Sequence, residues 1–183
     1  RHGGALYLFK GSLHGEYNAF KKNTGVIVGG AMVISASTVS ITGSTFRKNT
    51  IGTRGGALYI ESYSPTPSQV NLTRIVFEEN KQTDGGTNGQ FGGGGLYLRQ
   101  DVTVNIRECI FARNEATEST GGDIHGHQIM TLESGSEIPS IAIVNTNFTE
   151  IAGDHHFYGY DGSGGADKYV SPATCAPTPC TVS

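Results

Sequence analysis

Tryptophan is absent from the 183 residues, and proline and cysteine are scarce, at six and three. So few prolines, with no regular period, exclude collagen and proline-rich linkers. Three cysteines are too few for a disulfide framework to replace a hydrophobic core. Charged residues make up 16% of the chain and the net charge is only −3, which gives no electrostatic footprint for nucleic acid or an anionic membrane. No apolar run approaches the roughly 20 residues that a spanning helix needs. The chain has neither an initiator methionine nor a signal peptide, and Arg1-His2 opens inside a repeat. It therefore reads as a window of a longer protein.

What the sequence has is glycine, 27 residues of it, about twice the usual share of roughly 7%. The glycines are ordered. Gly3-Gly4-Ala5-Leu6-Tyr7-Leu8 recurs at Gly29-Gly30-Ala31-Met32-Val33-Ile34, Gly55-Gly56-Ala57-Leu58-Tyr59-Ile60 and Gly93-Gly94-Gly95-Leu96-Tyr97-Leu98, with a degenerate copy at Gly121-Gly122-Asp123-Ile124. Between them stands Phe-x-x-Asn: Phe20/Asn23, Phe46/Asn49, Phe77/Asn80 and Phe111/Asn114. The first gaps are 26 residues, the later ones 38 and 28. A repeat of that size with strand composition is one turn of a β-solenoid, each turn stacking on the last at about 4.8 Å. The expected fold is all-β, a right-handed parallel β-helix of about five to six coils spanning residues 1–170. A tail at 171–183 with Pro172, Cys175, Pro177, Pro179 and Cys180 reads as a boundary or the start of a following module.

Aligning the repeats on Phe gives the inward columns. Seven residues before it stand Val39, Val70, Val104 and Ile141; five before, Ile41, Leu72, Ile106 and Ile143; two before, Ser44, Ile75, Cys109 and Thr146. The step from five to two is odd, so keeping one face inward needs a bend, expected at Gly43, Arg74, Glu108 and Asn145. Phe148 opens a degenerate repeat in which Ile151 replaces the asparagine. After the glycines, Leu6, Met32, Leu58, Leu96 and Ile124 form an inward column, and Leu8, Ile34, Ile60 and Leu98 another. Gly164-Gly165-Ala166-Asp167 is a candidate sixth copy.

Asn23, Asn49, Asn80 and Asn114 occupy one position on successive turns. Asparagine tolerates positive φ, and its amide can bond its counterparts above and below, so a stacked ladder is expected; the alternative is four independent turn residues. Tyr7, Val33, Tyr59, Tyr97 and His125 should point outward. A strip of outward tyrosines is a candidate partner surface, for sugar rings or a neighbouring chain. The alternative is that a long insertion, 81–92 or 127–140, folds over it.

The alternation of Gly-Gly-Ala-[Ile/Leu] with Phe-x-x-Asn resembles the repeat of the polymorphic outer membrane proteins of chlamydiae and related right-handed β-helix surface proteins. The resemblance spans residues 3 to about 125, and more faintly 126–170, with Gly95 and Asp123 departing from the alanine and Ile151 from the asparagine. It implies a secreted, extracellular or cell-surface protein with an adhesive or structural role and carries over no catalytic residue.

The residues suit a non-catalytic structural or adhesive segment, partnered by other chains of a surface or fibre assembly or by glycans, with no cofactor. The competing readings are a carbohydrate-active enzyme, lyase or hydrolase, and a carbohydrate-binding module. A polysaccharide-cleaving site needs clustered carboxylates, often with Ca²⁺. The nearest material is His125, His127, Asp154 and His156, which together could hold a metal but otherwise read as solvated loop residues. Two sequons, Asn71-Leu72-Thr73 and Asn147-Phe148-Thr149, place both asparagines between inward residues and hence outward, as glycosylation candidates. Cys109 should be a buried free thiol. Cys175 and Cys180 enclose four residues and could close a local disulfide in an oxidising compartment, or pair elsewhere.

Overall fold

A computed structural model describes residues 3–62, 66–84, 92–99, 102–116 and 146 with their side chains. It describes the backbone alone for Met130–Glu133, Ser140–Val144, Asn147–Thr149, Phe157–Tyr160, Lys168–Tyr169 and Cys180–Val182. Among these residues every element is a strand, and the strands stack into four sheets.

The first sheet stacks Leu6–Phe9, Met32–Ser35, Leu58–Glu61, Leu96–Arg99, Met130–Glu133 and Phe157–Tyr160 in parallel. The second stacks Ser12–Glu16, Thr38–Thr42, Gln69–Thr73, Thr103–Arg107 and Ser140–Val144. The third stacks Ala19–Lys21, Thr45–Arg47, Val76–Glu78, Ile110–Ala112 and Asn147–Thr149. A short fourth joins Thr50–Ile51, Lys81–Gln82 and Glu115–Ala116. The chain visits the sheets in turn and returns one layer further on, an arrangement consistent with a β-solenoid.

Register places like on like. Phe20, Phe46, Phe77, Phe111 and Phe148 are successive partners, as are Val39, Val70, Val104 and Ile141. The Phe rings stack nearly parallel, with centroids 4.7, 5.2 and 4.6 Å apart from Phe20 to Phe111. Those separations are the strand spacing itself. Phe46, Phe77 and Phe111 are fully buried, in one core with the valine and isoleucine/leucine columns of the second sheet and the Met32, Leu58 and Leu96 column of the first. Each such side chain contributes about 1.5–3 kcal/mol by leaving water.

The repeat departs from expectation near Gly121. Leu96 pairs with Met130 and Leu98 with Leu132, so Met130, not Ile124, holds the register position after Leu96, and Thr131 rather than His125 the one after Tyr97. The 127–140 stretch therefore contains a strand of the stack rather than only an insertion. Glycine pairs mark a layer only where its backbone closely approaches another, and Met130-Thr131-Leu132 joins the sheet without a pair directly before it. Lys168–Tyr169 runs antiparallel to Phe157–Tyr160, so it does not extend the parallel stack as a sixth copy would. Cys180–Val182 pairs antiparallel with Ser140–Val144, which places a strand of the proline- and cysteine-containing tail in the second sheet.

The two glycines of each pair have different reasons. Gly55 has φ +70°, left-handed backbone that a side chain disfavours by about 1–2 kcal/mol. Gly56 is fixed by proximity: a Cβ there would lie 2.0 Å from the carbonyl oxygen of Gly94 in the next layer, and one on Gly30 1.9 Å from that of Gly56. Gly56→Ala is therefore expected to destabilise by about 3 kcal/mol, the upper end of overpacking, measured as the urea midpoint at unchanged m-value. A cost below about 1 kcal/mol would mean the layers can separate to admit a methyl.

Candidate functional site

The polar groups of the stack gather at its corners. At the corner after each Phe the chain turns through a residue in the left-handed region: Lys22, Lys48, Glu79 and Arg113 have φ between 52° and 55°. Asn23, Asn49, Asn80 and Asn114 come one residue later. Positive φ thus falls on the charged residue before the asparagine, which corrects the expectation that the asparagine itself takes it.

The asparagines form a ladder. Oδ1 of Asn49 accepts from the backbone N–H of Asn23 at 3.0 Å and from its Nδ2 at 2.9 Å. Oδ1 of Asn80 does the same for Asn49, at 3.1 and 2.8 Å, and Oδ1 of Asn114 for Asn80, also at 3.1 and 2.8 Å. The second Nδ2 hydrogen goes to a Phe carbonyl one layer back: Asn49 to Phe20, Asn80 to Phe46 and Asn114 to Phe77, at 3.0, 2.9 and 2.9 Å. Asn49, Asn80 and Asn114 are buried, so each bond replaces one that water can no longer make.

Two other corners follow the same rule with other residues. Ala36 has φ 48°; next, Ser37 Oγ accepts from Gly11 N at 3.1 Å, and Ser68 Oγ accepts from Ser37 N at 3.2 Å. Gly43, Arg74 and Glu108 have φ 60°, 54° and 54°, the bend expected from the odd spacing. Behind them Ser44 Oγ accepts from Asn18 N at 3.0 Å and Cys109 Sγ from Ile75 N at 3.4 Å. Cys109 also donates to Arg107 O at 3.3 Å, as Ser44 donates to Thr42 O at 3.0 Å. Cys109 is a free thiol in the core. Burial pushes it up to about 11. Ser44 was placed inward from the sequence but not read as an acceptor, and Ser37 and Ser68 were not singled out; the signal at Ser44 is a small acceptor directly after the odd step.

The tyrosine strip differs from expectation. Tyr59 and Tyr97 point away from the main core but are only 2% and 0% exposed, clustered with Val28 and Val33. Their rings stack at 5.5 Å, and the Arg54 guanidinium lies 5.6 Å from the centre of the Tyr97 ring. Val28 and Arg54 come from the short segments between asparagine and glycine pair, so these segments, rather than the long insertions alone, build the satellite core. Tyr59 Oη donates to Glu61 Oε2 at 2.9 Å, and Glu61 also pairs with Arg99. Burial, reinforced by Glu61, raises the Tyr59 pKa. Tyr7, at 45% exposure, is the one tyrosine of the three on the surface.

The described carboxylates of the third sheet are paired along the stack. Glu78 meets Arg47 at 2.9 Å and also Arg113; Glu79 meets Lys48 at 3.1 Å and Arg47 at 3.2 Å. Lys48, through its hydrogen bond, and Arg47 hold the Glu79 carboxyl below the usual range. Asn71 is exposed on the second sheet, its Oδ1 accepting from Asn105 Nδ2 at 2.9 Å. For Asn147 and Cys180 only the strand backbone is described. Cys175, His125, His127, Asp154 and His156 lie outside the described residues. Among the described residues no group of three His, Cys, Asp or Glu could hold a metal ion. Compared with known proteins, the chain matches no family model, no curated protein and no solved structure.

Two outcomes are expected. Asn80→Leu strands Asn49 N in the interior and takes one bond each from Asn49 Nδ2, Phe46 O and Asn114 Oδ1, and should cost about 3–5 kcal/mol, whereas exposed Asn105→Ala should cost less than about 0.5 kcal/mol; equal costs would show that the ladder contributes nothing. Cys109→Ser should be nearly neutral at pH 7, because Ser44 makes the same bonds in the same column two layers back. In the wild type the unfolded thiol ionises near 9 and the folded one near 11. The unfolded state therefore binds fewer protons in that window, and stability falls as pH rises through it, by about 2 kcal/mol or slightly more. The wild-type-minus-Cys109→Ser difference, followed by denaturant midpoint from pH 8 to 11, should show that loss; a flat difference would contradict it.

Proposed function

We propose that this chain is a right-handed parallel β-helix of about five to six coils, serving as a non-catalytic structural or adhesive segment of a large extracellular or cell-surface protein. The observation that supports it most is the use of polar side chains in columns. Asparagine, serine and cysteine close backbone bonds between layers, and glutamates are matched to arginine and lysine along the stack. Groups that a catalyst would hold free are here engaged in holding layers together. The partners in this reading are other chains of a surface or fibre assembly, or glycans. Asn71 and Asn147 would carry the carbohydrate of a secreted glycoprotein, and Cys175 with Cys180 would close a disulfide.

A carbohydrate-binding module is favoured as the second reading by the outer face of the second sheet. Gln69, Asn71 and Thr73 lie beside Thr103, Asn105 and Arg107 in register, a level array of amide, hydroxyl and guanidinium groups with the donors and acceptors a sugar chain would need.

Antibodies raised against the folded chain should label intact cells of its source without permeabilisation, and the purified chain should release no products from acidic or neutral polysaccharides, with or without Ca²⁺. Labelling only after permeabilisation would overturn the surface assignment. Cleavage that disappears in His127→Ala or Asp154→Ala would replace it with an enzyme. Glycan binding that is lost in Asn105→Ala with Arg107→Ala would favour the second reading.

A further inference from the structure

Most cations of this chain are engaged along the stack. Among the described side chains from residue 24 onward, Arg47, Lys48, Lys81, Arg99 and Arg113 each meet a carboxylate, and Arg54 lies over the Tyr97 ring. Arg74 and Arg107 are exposed and meet no carboxylate among the described residues. They are also neighbours. Arg74 N donates to Arg107 O at 2.9 Å, which sets the pair on consecutive layers. Arg107 ends the outward row Thr103, Asn105, Arg107, whose intervening residues are buried. Arg74 is the left-handed corner residue that follows Thr73, the register partner of Arg107. A single unpaired arginine on a surface is ordinary; two guanidiniums side by side at one edge of the second sheet are a local positive field. Glu108, the next residue of that corner, is exposed and forms no ion pair with either among the described residues.

The surroundings specify what fits. Beside the arginines the sheet presents exposed Gln69, Asn71, Thr103 and Asn105. Asn71 Oδ1 takes its one bond from Asn105 Nδ2, so Asn71 Nδ2 and Asn105 Oδ1 have no partner among the described residues. A donor and an acceptor side by side match a sugar hydroxyl, which is both. The repeat matches as well. A sugar residue in an extended chain advances by a length close to the layer spacing of about 4.8 Å, whereas an extended peptide returns to the same face only every roughly 6.6 Å. A glycan laid along the stack therefore stays in step with the layers. Its acidic groups would meet guanidinium forks, whose parallel N–H bonds suit carboxylate and sulfate. These strands carry no outward aromatic ring, so stacking adds nothing, and hydrogen bonds to neutral hydroxyls largely replace those to water.

We propose that this edge of the second sheet binds an acidic polysaccharide along the stack axis, with carboxylate or sulfate groups held by Arg74 and Arg107 and hydroxyls by Asn71 and Asn105. The proposal rests on the glycan-binding reading of this sheet and adds the charge of the ligand.

The full chain, made in bacteria so that Asn71 carries no glycan, is titrated by calorimetry at low ionic strength. The probes are polygalacturonate and its carboxyl-reduced form, dextran sulfate and dextran, and poly-glutamate. Polygalacturonate or dextran sulfate should bind at least about tenfold tighter than its neutral counterpart, and the pair that shows the difference identifies the acid. Arg74→Gln with Arg107→Gln should weaken that binding by about tenfold, and Glu108→Gln should strengthen it by about twofold. Lys48→Gln with Lys81→Gln removes the same charge elsewhere and should change it by less than about twofold. Equal affinity for a neutral counterpart would overturn the proposal and leave the glycan-binding reading standing, and no binding to any probe would overturn both. Poly-glutamate bound as tightly as the polysaccharides, or equal weakening by the lysine substitutions, would overturn the proposal in favour of a peptide or of unspecific attraction.

Discussion

A spacing of about 4.8 Å between parallel strands governs this molecule. At that distance the nearest neighbour of any residue, outside its own strand, is its counterpart one layer away. Every position must therefore be compatible with itself. Phenylalanine meets this by stacking, valine and isoleucine by packing, and glycine by giving up its Cβ where two backbones nearly touch. Asparagine meets it because one end of its amide donates and the other accepts, so identical side chains join in a directed series. Ionised residues cannot stack on their own kind without cost. The column before the asparagine accordingly runs Lys22, Lys48, Glu79, Arg113, and its ion pairs form where the sign changes.

The same spacing explains the corners. Within a sheet each backbone N–H finds a carbonyl in an adjacent layer. A left-handed residue turns the peptide out of that pattern, and the N–H that follows needs another acceptor. A short side chain from the next layer provides it: Asn49 Oδ1, Ser68 Oγ, Ser44 Oγ, Cys109 Sγ or Thr146 Oγ1. The chemistry of the acceptor is secondary to its reach, and so serine, cysteine and threonine exchange within one column. Ile75 in that column offers no acceptor to the layer before it. It adds apolar volume to the core instead, so a corner can lose its side-chain acceptor without breaking the stack.

Much of this was legible because columns constrain sequence more tightly than faces do. Aligning on phenylalanine alone placed Val70 beside Val104 and Leu72 beside Ile106, as the register has them. The odd step before Phe located the bends at Gly43, Arg74 and Glu108. What failed was reasoning from a motif where only its geometry matters. The weak glycine pair at 121 suggested Ile124 for a column that Met130 fills, because strand pairing needs alternation and not the glycines. Asparagine's tolerance of positive φ suggested its place at the turn, but buried asparagine is held by hydrogen bonds, and the left-handed residue is the exposed Lys48 or the partly exposed Glu79 beside it.

The tyrosines show a subtler limit. Period-two alternation tells which face of a strand a side chain occupies, and Tyr59 and Tyr97 do face away from the main core. It cannot tell whether that face meets water. Here the five residues between Asn23 and Gly29, and between Asn49 and Gly55, carry Val28 and Arg54 alongside the tyrosines. Glu61 then satisfies the Tyr59 hydroxyl from the same strand while pairing with Arg99. The outer side of the first sheet is thus interior over these layers. Of the broad faces, the third sheet presents matched ion pairs, whereas the second presents amides and hydroxyls together with the exposed Arg107, and these amides bond between layers where Asn105 meets Asn71.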